Sequence, residues 1–211
     1  MYRLRQIIFD NIKSYDTLGL FLTSYEIGRP DVKKILIEIE GRDGALDYTE
    51  ALGGVHYKNR KLNFNFVAKR GEVDYSSILN KLHGKLMNIT LPDEAGFYYH
   101  GRVEVSAYKS ERGVTNISVE ADCYPYKKKM QETVIQKNLS GTAIDIVCNN
   151  LKEPIIPVIE TTATAVIKFQ NKTFSVQAGK HMLDILFTQG SNLLNVSGTG
   201  SIKITYREGS L

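Results

Sequence analysis

Residues 39–66 read IEGRDGALDYTEALGGVHYKNRKLNFNF, and they hold the turn and the strand that organise the first half of the chain. Gly41 and Gly44 enclose a short turn, where glycine tolerates a left-handed backbone. From Lys61 to Phe66 apolar residues alternate with polar ones, the period of a half-buried strand. The stretch predicts a long excursion between strands near residues 41–61. Periodicity alone leaves open whether this excursion touches another protein or is an ordinary hairpin loop.

The residues on either side of this stretch predict a strand before it and one helix after it. Val32–Glu40 alternates, with Ile35, Ile37 and Ile39 on one face, which indicates a strand leading into the turn. Asp74 is a suitable N-cap for a short helix near residues 75–83. Gly84 is placed to end that helix. The first half is therefore expected to be mainly β with one short α-helix.

The second half is expected to be entirely β. Short apolar segments recur from Ile155–Glu160 to Ile202–Tyr206, among them Met182–Phe187 and Leu193–Val196, the pattern of an antiparallel β-sandwich. Thr142–Leu151 fits a helix or a strand, and we favour a strand. Ser197–Ser201 is rich in glycine, but it lies between two predicted strands, so a hairpin turn is favoured over a phosphate loop. Pro125 and the lysines that follow it set a boundary between residues 1–129 and 130–211.

Composition limits the function classes. The chain has 211 residues, a hydrophobic content of 42% and a net charge of +4, which suits a packed and mildly basic protein. Its two cysteines, Cys123 and Cys148, leave open a single disulfide, although buried free thiols in a reducing compartment are favoured. No apolar run resembles a signal peptide or a membrane span. We expect synthesis in the cytoplasm and no membrane partner.

The sequence offers no set of residues that predicts catalysis. The four histidines lack the spacing of a metal site, and nucleophile, phosphate-loop and dinucleotide motifs are missing. Carboxylate pairs such as Glu38/Glu40 are explained by a solvated strand face. We therefore predict no catalytic residues, no cofactor and no metal, and we do not expect an enzyme.

Two basic clusters and a pair of tyrosines have two interpretations each. Lys58–Lys61 and Lys127–Lys129 are most simply solvated surface, but they would also suit an acidic partner or DNA phosphates. Tyr98 and Tyr99 could form a platform for a sugar or a base, although aromatic pairs on strands more often fill cores or interfaces. None of these signals is specific alone.

Taken in order, several landmarks resemble the distal tail proteins (Dit) of long non-contractile-tailed bacteriophages, the siphophages, and of related prophages. The resemblance covers nearly the whole chain, and its separate pieces are short. The strongest piece is the glycine turn followed by a Tyr-x-x-Arg step. The matching segments are 7–14, 18–20, 41–47, Tyr57 with Arg60, 82–85, 98–103, 123–127, 190–193, 198–202 and 206–209.

The resemblance implies a β-rich protein of the virion tail tip, or baseplate. Members of this family have an N-terminal β-sandwich with one helix and a belt-like extension, followed by a C-terminal galectin-like β-sandwich. Six copies form a hub ring that joins the tail tube protein to the tail-tip protein and to peripheral receptor-binding proteins. DNA would meet the ring only while passing through its lumen.

The ordered, glycine-punctuated excursion at residues 41–61 suggests which residues contact a neighbouring subunit in such a ring. We expect the excursion to reach the next copy in the ring, with Arg42, Asp43, Tyr57 and Arg60 as interface residues. Gly41, Gly44 and Gly84 would be turn-forming. The second half lacks room for the inserted carbohydrate-binding domains of some relatives, so direct host binding is not expected. The alternatives are a carbohydrate-binding β-sandwich module and a nucleic-acid-binding β protein.

Overall fold

The computed structural model describes residues 5–51, 53–69, 71, 73–111 and 113–211. Most of these residues lie in strands, and one short helix, α1, is present among them. The predicted fold class, mainly β with one short helix, is therefore confirmed. The chain divides into two compact units, residues 1–127 and 128–211, and the division falls inside the lysine run.

The first unit contains α1 and a long antiparallel sheet, together with a small separate hairpin. Strand β10 (Lys127–Lys129) lies at the boundary between the units. The other elements are β1 (Ile8–Phe9), β2 (Ile12–Lys13), β3 (Phe21–Ile27), β4 (Leu36–Glu38), β5 (Ala45–Asp47), β6 (Arg60–Lys69), α1 (Tyr75–Leu82), β7 (Lys85–Thr90), β8 (Phe97–Glu111) and β9 (Val114–Cys123).

The main sheet of the first unit folds over on itself. Its strands follow the order β2-β1-β7-β8-β9-β6-β3, and neighbouring strands are antiparallel. Although β1 and β6 are separated in this order, Phe9 of β1 meets Phe64 of β6 edge to face, with ring centroids 5.7 Å apart. The two halves of the sheet therefore face each other across a shared core, which is the organisation of a β-sandwich.

Strand β6 supplies the centre of that core. Leu62, Phe64, Phe66 and Ala68 are 0 to 2% exposed, while the residues between them are half-buried or exposed. The alternation predicted for Lys61–Phe66 is thus confirmed. On one side β6 pairs with β9, and on the other it pairs with β3, which is the edge strand of the described sheet.

Helix α1 covers part of this core and begins and ends as its sequence predicts. The side chain of Asp74 accepts a hydrogen bond from the backbone N–H of Ser76 over 3.0 Å. Ile78 and Leu82 are buried against the sheet. Gly84 follows with φ of 75°, a left-handed conformation that costs glycine little. The predicted short helix is therefore confirmed, and it ends at Leu82.

The segment before the glycine turn differs from its prediction. Its alternation predicts a strand along Val32–Glu40, but the strand that forms, β4, has only three residues. Ile35, Ile37 and Ile39 all remain exposed, with fractions of 43 to 47%. Among the described strands, β4 pairs only with β5, so no second layer covers either face. Periodicity indicated the local conformation but not the absence of a covering layer.

The second unit contains two antiparallel sheets that share one long strand. In the described residues β11, β13 and β16 belong to one sheet, β12, β14 and β15 belong to the other, and β17 takes part in both. The elements are β11 (Thr133–Ser140), β12 (Ile144–Asn150), β13 (Val158–Thr161), β14 (Ala165–Phe169), β15 (Lys172–Val176), β16 (Gly179–Met182), β17 (Gly190–Tyr206) and β18 (Gly209–Ser210).

Strand β17 passes from one sheet to the other at two glycines. Its first part pairs with β12 and β14, and its last part pairs with β11 and β13. Between these parts, Gly198 and Gly200 have φ of 147° and 85°. A Cβ on Gly198 would lie 2.7 Å from the carbonyl oxygen of Thr164. Glycine therefore permits both the bend and the close approach of the neighbouring chain.

The hairpin turn predicted at Ser197–Ser201 is consequently wrong. The chain continues through these residues without reversing, so Leu193–Val196 and Ile202–Tyr206 are parts of one strand. A turn and a bend inside a strand both need glycine with positive φ, and only the pairing partners separate them. The partner strands are distant in sequence, so the residues around Gly198 do not reveal them.

Two other strand predictions in this unit had opposite outcomes. The strand favoured for Thr142–Leu151 is confirmed as β12. The strand predicted at Met182–Phe187 is wrong, because β16 ends at Met182 and the following segment is irregular. Ile185 and Phe187 are nevertheless fully buried. Burial, rather than strand formation, accounts for the apolar character of that segment.

Gly101 lies where β8 and β9 leave no room for a side chain. It is opposite Cys123 in the register. A Cβ at this position would lie 2.5 Å from the Cys123 sulfur and 2.6 Å from its Cα, and it would also collide with the carbonyl oxygen of Asp122. Two of these atoms belong to the backbone of the sheet, so they cannot move without disturbing the ladder. A glycine is therefore required here.

We expect Gly101→Ala to lower the free energy of unfolding by about 1–3 kcal/mol, because the added methyl overpacks the contact between β8 and β9. Urea denaturation measures the change. Gly96→Ala is the matched control, since nothing lies within 4 Å of a Cβ at that position. Equal losses of stability in the two variants would contradict the steric explanation.

Candidate interaction surface

Within the first unit, a β-hairpin leaves the main sheet after β3 and returns to it at the start of β6. We refer to residues 33–59 as the arm. Within it β4 pairs with β5 in antiparallel register, with Ile37 opposite Leu46. The backbone N–H of Tyr48 donates to the carbonyl oxygen of Ile35 over 2.8 Å, which extends the ladder beyond β4. The predicted excursion is thus a regular hairpin, and it begins before the glycine turn.

The tip of the arm is formed by the two predicted turn glycines. Gly41 and Gly44 have φ of 78° and 72°, a region that residues with a Cβ occupy only at a cost. Between them, the backbone N–H of Arg42 donates to the carbonyl oxygen of Ile39 over 3.1 Å. The side chains of Arg42 and Asp43 are exposed. The spacing of the glycines therefore sets the point at which the hairpin reverses.

The base of the arm continues the pairing of β3 with β6. Val32 faces Tyr57 in an antiparallel bridge, and the N–H of Lys33 donates to the carbonyl oxygen of His56 over 2.8 Å. The ring of Tyr57 meets that of Tyr126 edge to face, with centroids 6.0 Å apart. These contacts hold the two segments of the hairpin together where they leave the sheet, so the arm has an ordered attachment.

The arm leaves its apolar side chains uncovered. Every arm residue that the structure describes is exposed or half-buried. Several large apolar side chains left uncovered on one hairpin mark a site of interaction with other molecules. Five large apolar side chains are 43 to 54% exposed: Ile35, Leu36, Ile37, Ile39 and Tyr48.

The distal part of the arm is also acidic. Residues 38–50 carry five carboxylates and one arginine, a net charge of −4, whereas the rest of residues 1–127 carry seventeen basic and twelve acidic side chains, a net charge of +5. Hydrogen bonds from Thr49 hold the pKa of Asp47 below its ordinary value, and the charge of Lys34 adds to this effect. Asp47 is therefore ionised at neutral pH, and residues 38–50 of the arm present a negative surface.

The structure separates the four predicted interface residues into two places. Arg42 and Asp43 are exposed together at the tip. Tyr57 is half-buried at the base, and Arg60 is only 5% exposed. The side chain of Arg60 therefore lies inside the subunit, and the predicted contact of all four residues with a neighbouring copy stays a prediction. The exposed residues of β4 were absent from the prediction, although the apolar Leu36 between two isoleucines was a signal that both faces needed covering.

Arg60 belongs to a polar cluster inside the first unit. Its guanidinium lies over the ring of Tyr99, 5.5 Å from the centroid. Glu94 accepts hydrogen bonds from the Tyr99 hydroxyl over 2.7 Å and from Lys127 Nζ over 2.6 Å. Burial opposes the ionisation of Glu94, but these hydrogen bonds and the charges of Lys127 and Arg60 outweigh it, so the pKa of Glu94 lies below its ordinary value. Arg60 thus has a structural role.

The basic run at residues 127–129 is neutralised within the protein. The three lysine side chains are 18 to 36% exposed, and each has its own carboxylate partner. The run is therefore not a freely solvated cluster, and a contact with DNA phosphates or an acidic partner stays a prediction. The pairs are Lys127–Glu94 in the first unit and Lys128–Glu153 and Lys129–Glu208 in the second.

The two cysteines are buried and free, one in each unit. Burial raises the pKa of the Cys123 thiol to about 12, and the charge of Asp122 adds to this. Burial likewise raises the pKa of the Cys148 thiol to about 11. Both thiols are protonated at neutral pH and are poor nucleophiles. The favoured interpretation, free thiols rather than a disulfide, is confirmed.

A polar groove in the second unit bears on the carbohydrate-binding alternative. The groove has a volume of about 510 Å³, and Gln170, Thr188 and Asn195 contribute hydrogen-bonding groups to its lining. Phe169, its aromatic member, is only 5% exposed. Sugar recognition by stacking needs an exposed ring face, which Phe169 does not offer. The groove therefore supplies polar groups without a stacking surface.

In the described ranges of the chain, no group of three or more His, Cys, Asp or Glu side chains could hold a metal ion. Among the same residues, no helix has the length and apolar character needed to cross a membrane. Glu38 and Glu40, considered above as a carboxylate pair, are exposed on the arm.

The two-unit β architecture has a counterpart among solved structures. No family model matches the sequence, and no curated protein matches it. The fold is similar to that of the Dit protein of phage SPP1, with a TM-score of 0.73, 15% sequence identity, and coverage of 99% of this chain and 100% of that chain. That protein is described as a paradigm of the hub adsorption apparatus in phages that infect Gram-positive bacteria. The predicted resemblance to distal tail proteins is confirmed at the level of the fold.

We expect Glu94→Gln to destabilise the protein at pH 7, because it leaves the ammonium group of Lys127 unpaired in a largely buried site. The folded-state pKa of Glu94 is lowered, so its ionised form stabilises the fold above the ordinary carboxyl value of 4.5. That contribution is lost as the pH falls through the lower, folded-state pKa. The gap in unfolding free energy between variant and wild type should therefore shrink below pH 4.5.

Urea denaturation at pH 7 and at a series of lower pH values measures this gap. Glu111→Gln is the control, since Glu111 pairs with Lys109 at an exposed site, where its side chain is 59% exposed. Its removal should change little at any pH. A gap for Glu94→Gln that stays constant down to the acid transition would show that ionisation of Glu94 is not the cause.

Proposed function

We propose that this chain is a structural, non-enzymatic protein of a bacteriophage tail tip. Copies of the chain assemble into a ring at the distal end of the tail tube, six by analogy with distal tail proteins. The ring joins the tube protein to the tail-tip protein and to peripheral receptor-binding proteins, and DNA meets it only in the lumen. In this proposal the N-terminal unit forms the ring, and the C-terminal unit is a galectin-like docking scaffold.

The observation that carries this proposal is the similarity of fold along the entire chain. The likeness to a protein of a phage hub adsorption apparatus includes 99% of this chain and 100% of the other. Each unit therefore has a counterpart in that protein, which a chance likeness of one β-sandwich would not provide. Because a fold does not define an activity, the tail-tip role rests on this whole-chain match taken together with the arm.

The arm supports an assembly role by a separate argument. Its five large apolar side chains are uncovered in a single copy, and apolar surface in water is unfavourable. Covering roughly 200 Å² of it would contribute about 5 kcal/mol to a contact. Arg42 and Asp43 at the tip are then exposed contact residues, and Tyr57 is a contact at the base. Arg60 supports the base from within.

A ring follows naturally from a contact of this kind. The arm and the surface that receives it are different parts of the same chain, so each copy uses one surface on each side. Such head-to-tail contacts close into a ring when the rotation between copies divides a full turn evenly. A hub that encircles a passing polymer requires this type of symmetry.

The first experiment is the mass of the purified full-length chain by light scattering, followed by negative-stain imaging. We expect a closed ring with a central opening and about six subunits, from the analogy with distal tail proteins and from head-to-tail contacts. If the chain alone is monomeric, the measurement is repeated in the presence of the tail tube protein from the same phage. A monomer, or a two-fold dimer without an opening, in both conditions would overturn the proposal.

We expect the double variant Ile35→Asp/Ile37→Asp to fold normally and to weaken ring assembly by at least about 10-fold, because charges replace the apolar surface that a neighbour would cover. Light scattering over a dilution series measures assembly, and urea denaturation checks folding. Leu186→Asp/Leu193→Asp is the control, since these leucines of the second unit are 47 and 52% exposed. Equal assembly of the two variants would exclude the arm from the interface.

A further inference from the structure

Strand β3 carries an open groove along its free edge. The groove has a volume of about 660 Å³ and is lined by Arg5 and residues 22–27. In the described part of the chain β3 pairs with β6 on one side, and no strand pairs with its other side. An edge strand presents unpaired N–H and C=O groups to which an extended segment can add as a further strand.

A bulge limits the usable edge to the last part of β3. The register with β6 shifts between Leu22 and Ser24, and the hydroxyl of Thr23 donates to the carbonyl oxygen of Asn65 over 2.8 Å. From Ser24 to Ile27 the register is regular. Bulges of this kind protect an edge from indiscriminate pairing. The four regular residues fit a short strand, and β4 of the arm has three residues.

We propose that the groove along β3 receives the arm of a second copy, with β4 adding to β3 as a further strand. This inference rests on the ring proposed above and names the surface that the arm meets. Within one copy the arm runs onward from the β3–β6 pair, since Val32 bridges Tyr57, so β4 does not return to its own β3. Its tip at Gly41 extends at most about 40 Å beyond Gly28, far enough to reach an adjacent copy.

Charge agrees with this occupant. Residues 38–50 of the arm carry a net charge of −4, and the first unit outside the arm carries fourteen basic and twelve acidic side chains, a net charge of +2. The distal part of the arm therefore attracts the body of another copy and repels the same part of another arm. The apolar parts also correspond, because Leu22 and the 36% exposed Ile27 line the groove. The isoleucines of the arm supply the matching surface.

Cross-linking of two variants of the full-length chain, each with one added cysteine, tests the contact. Ser24→Cys places a thiol in the groove and Ile37→Cys places one on the arm, while the natural cysteines are buried and protonated. The two proteins are mixed and mildly oxidised, and disulfide-linked pairs of different chains are quantified by mass. We expect these pairs at least about 10-fold faster than with Leu193→Cys in place of Ser24→Cys, because a disulfide needs Cα atoms within about 7 Å.

A second variant tests the groove without cross-linking. Ile27→Asp adds a carboxylate where the acidic arm would dock, and we expect assembly to weaken by at least about 10-fold while the subunit stays folded. Leu186→Asp in the second unit is the control and should assemble as the wild type does. Normal assembly of Ile27→Asp, at the level of the control, would overturn the inference.

The outcomes of these two experiments distinguish a failure of this inference from a failure of the proposed ring. Rings of normal size without preferential cross-linking from residue 24 to residue 37 would overturn the groove and leave the proposed function standing. Absence of rings together with absence of preferential cross-linking would overturn both. Preferential cross-linking within particles of ring size supports both.

Discussion

The burial of one face of β6 is the constraint on which the first unit depends. Leu62, Phe64 and Phe66 fill the core, and Phe64 meets Phe9 from the far end of the same sheet, so the sheet must fold over on itself. Because β3 pairs with β6, the same strand also positions the free edge and the base of the arm. Both the core and the surfaces proposed for assembly therefore follow from a single alternating strand.

Much of this fold could be predicted because the signals were local. The alternation of β6, the cap at Asp74 and the glycines near residues 41 and 84 depend on neighbouring residues alone. The errors arose where distant partners decide the outcome. The bend at Gly198 looks like a turn until its partner strands are known, and the apolar residues near Phe187 are buried without forming a strand.

The candidate site was less predictable, for a related reason. The glycine turn marked the arm, but whether a charged residue beside it faces water depends on what packs around it. Arg60 enters a cluster with Tyr99 and Glu94, while Arg42 remains exposed at the tip. Likewise, the lysines at 127–129 are paired with glutamates distant in sequence. A run of like charges can be seen in the sequence, but its role depends on the residues that the fold places beside it.

The sharing of β17 between two sheets has a mechanical consequence for the second unit. Because one covalent strand runs through both sheets, neither can separate from the other without breaking pairs on β17 itself. Loss of one sheet would expose the buried faces of both, so the unit should melt in one cooperative step with no half-folded intermediate. A force applied at one edge of the unit would be transmitted through β17 to every strand that pairs with it.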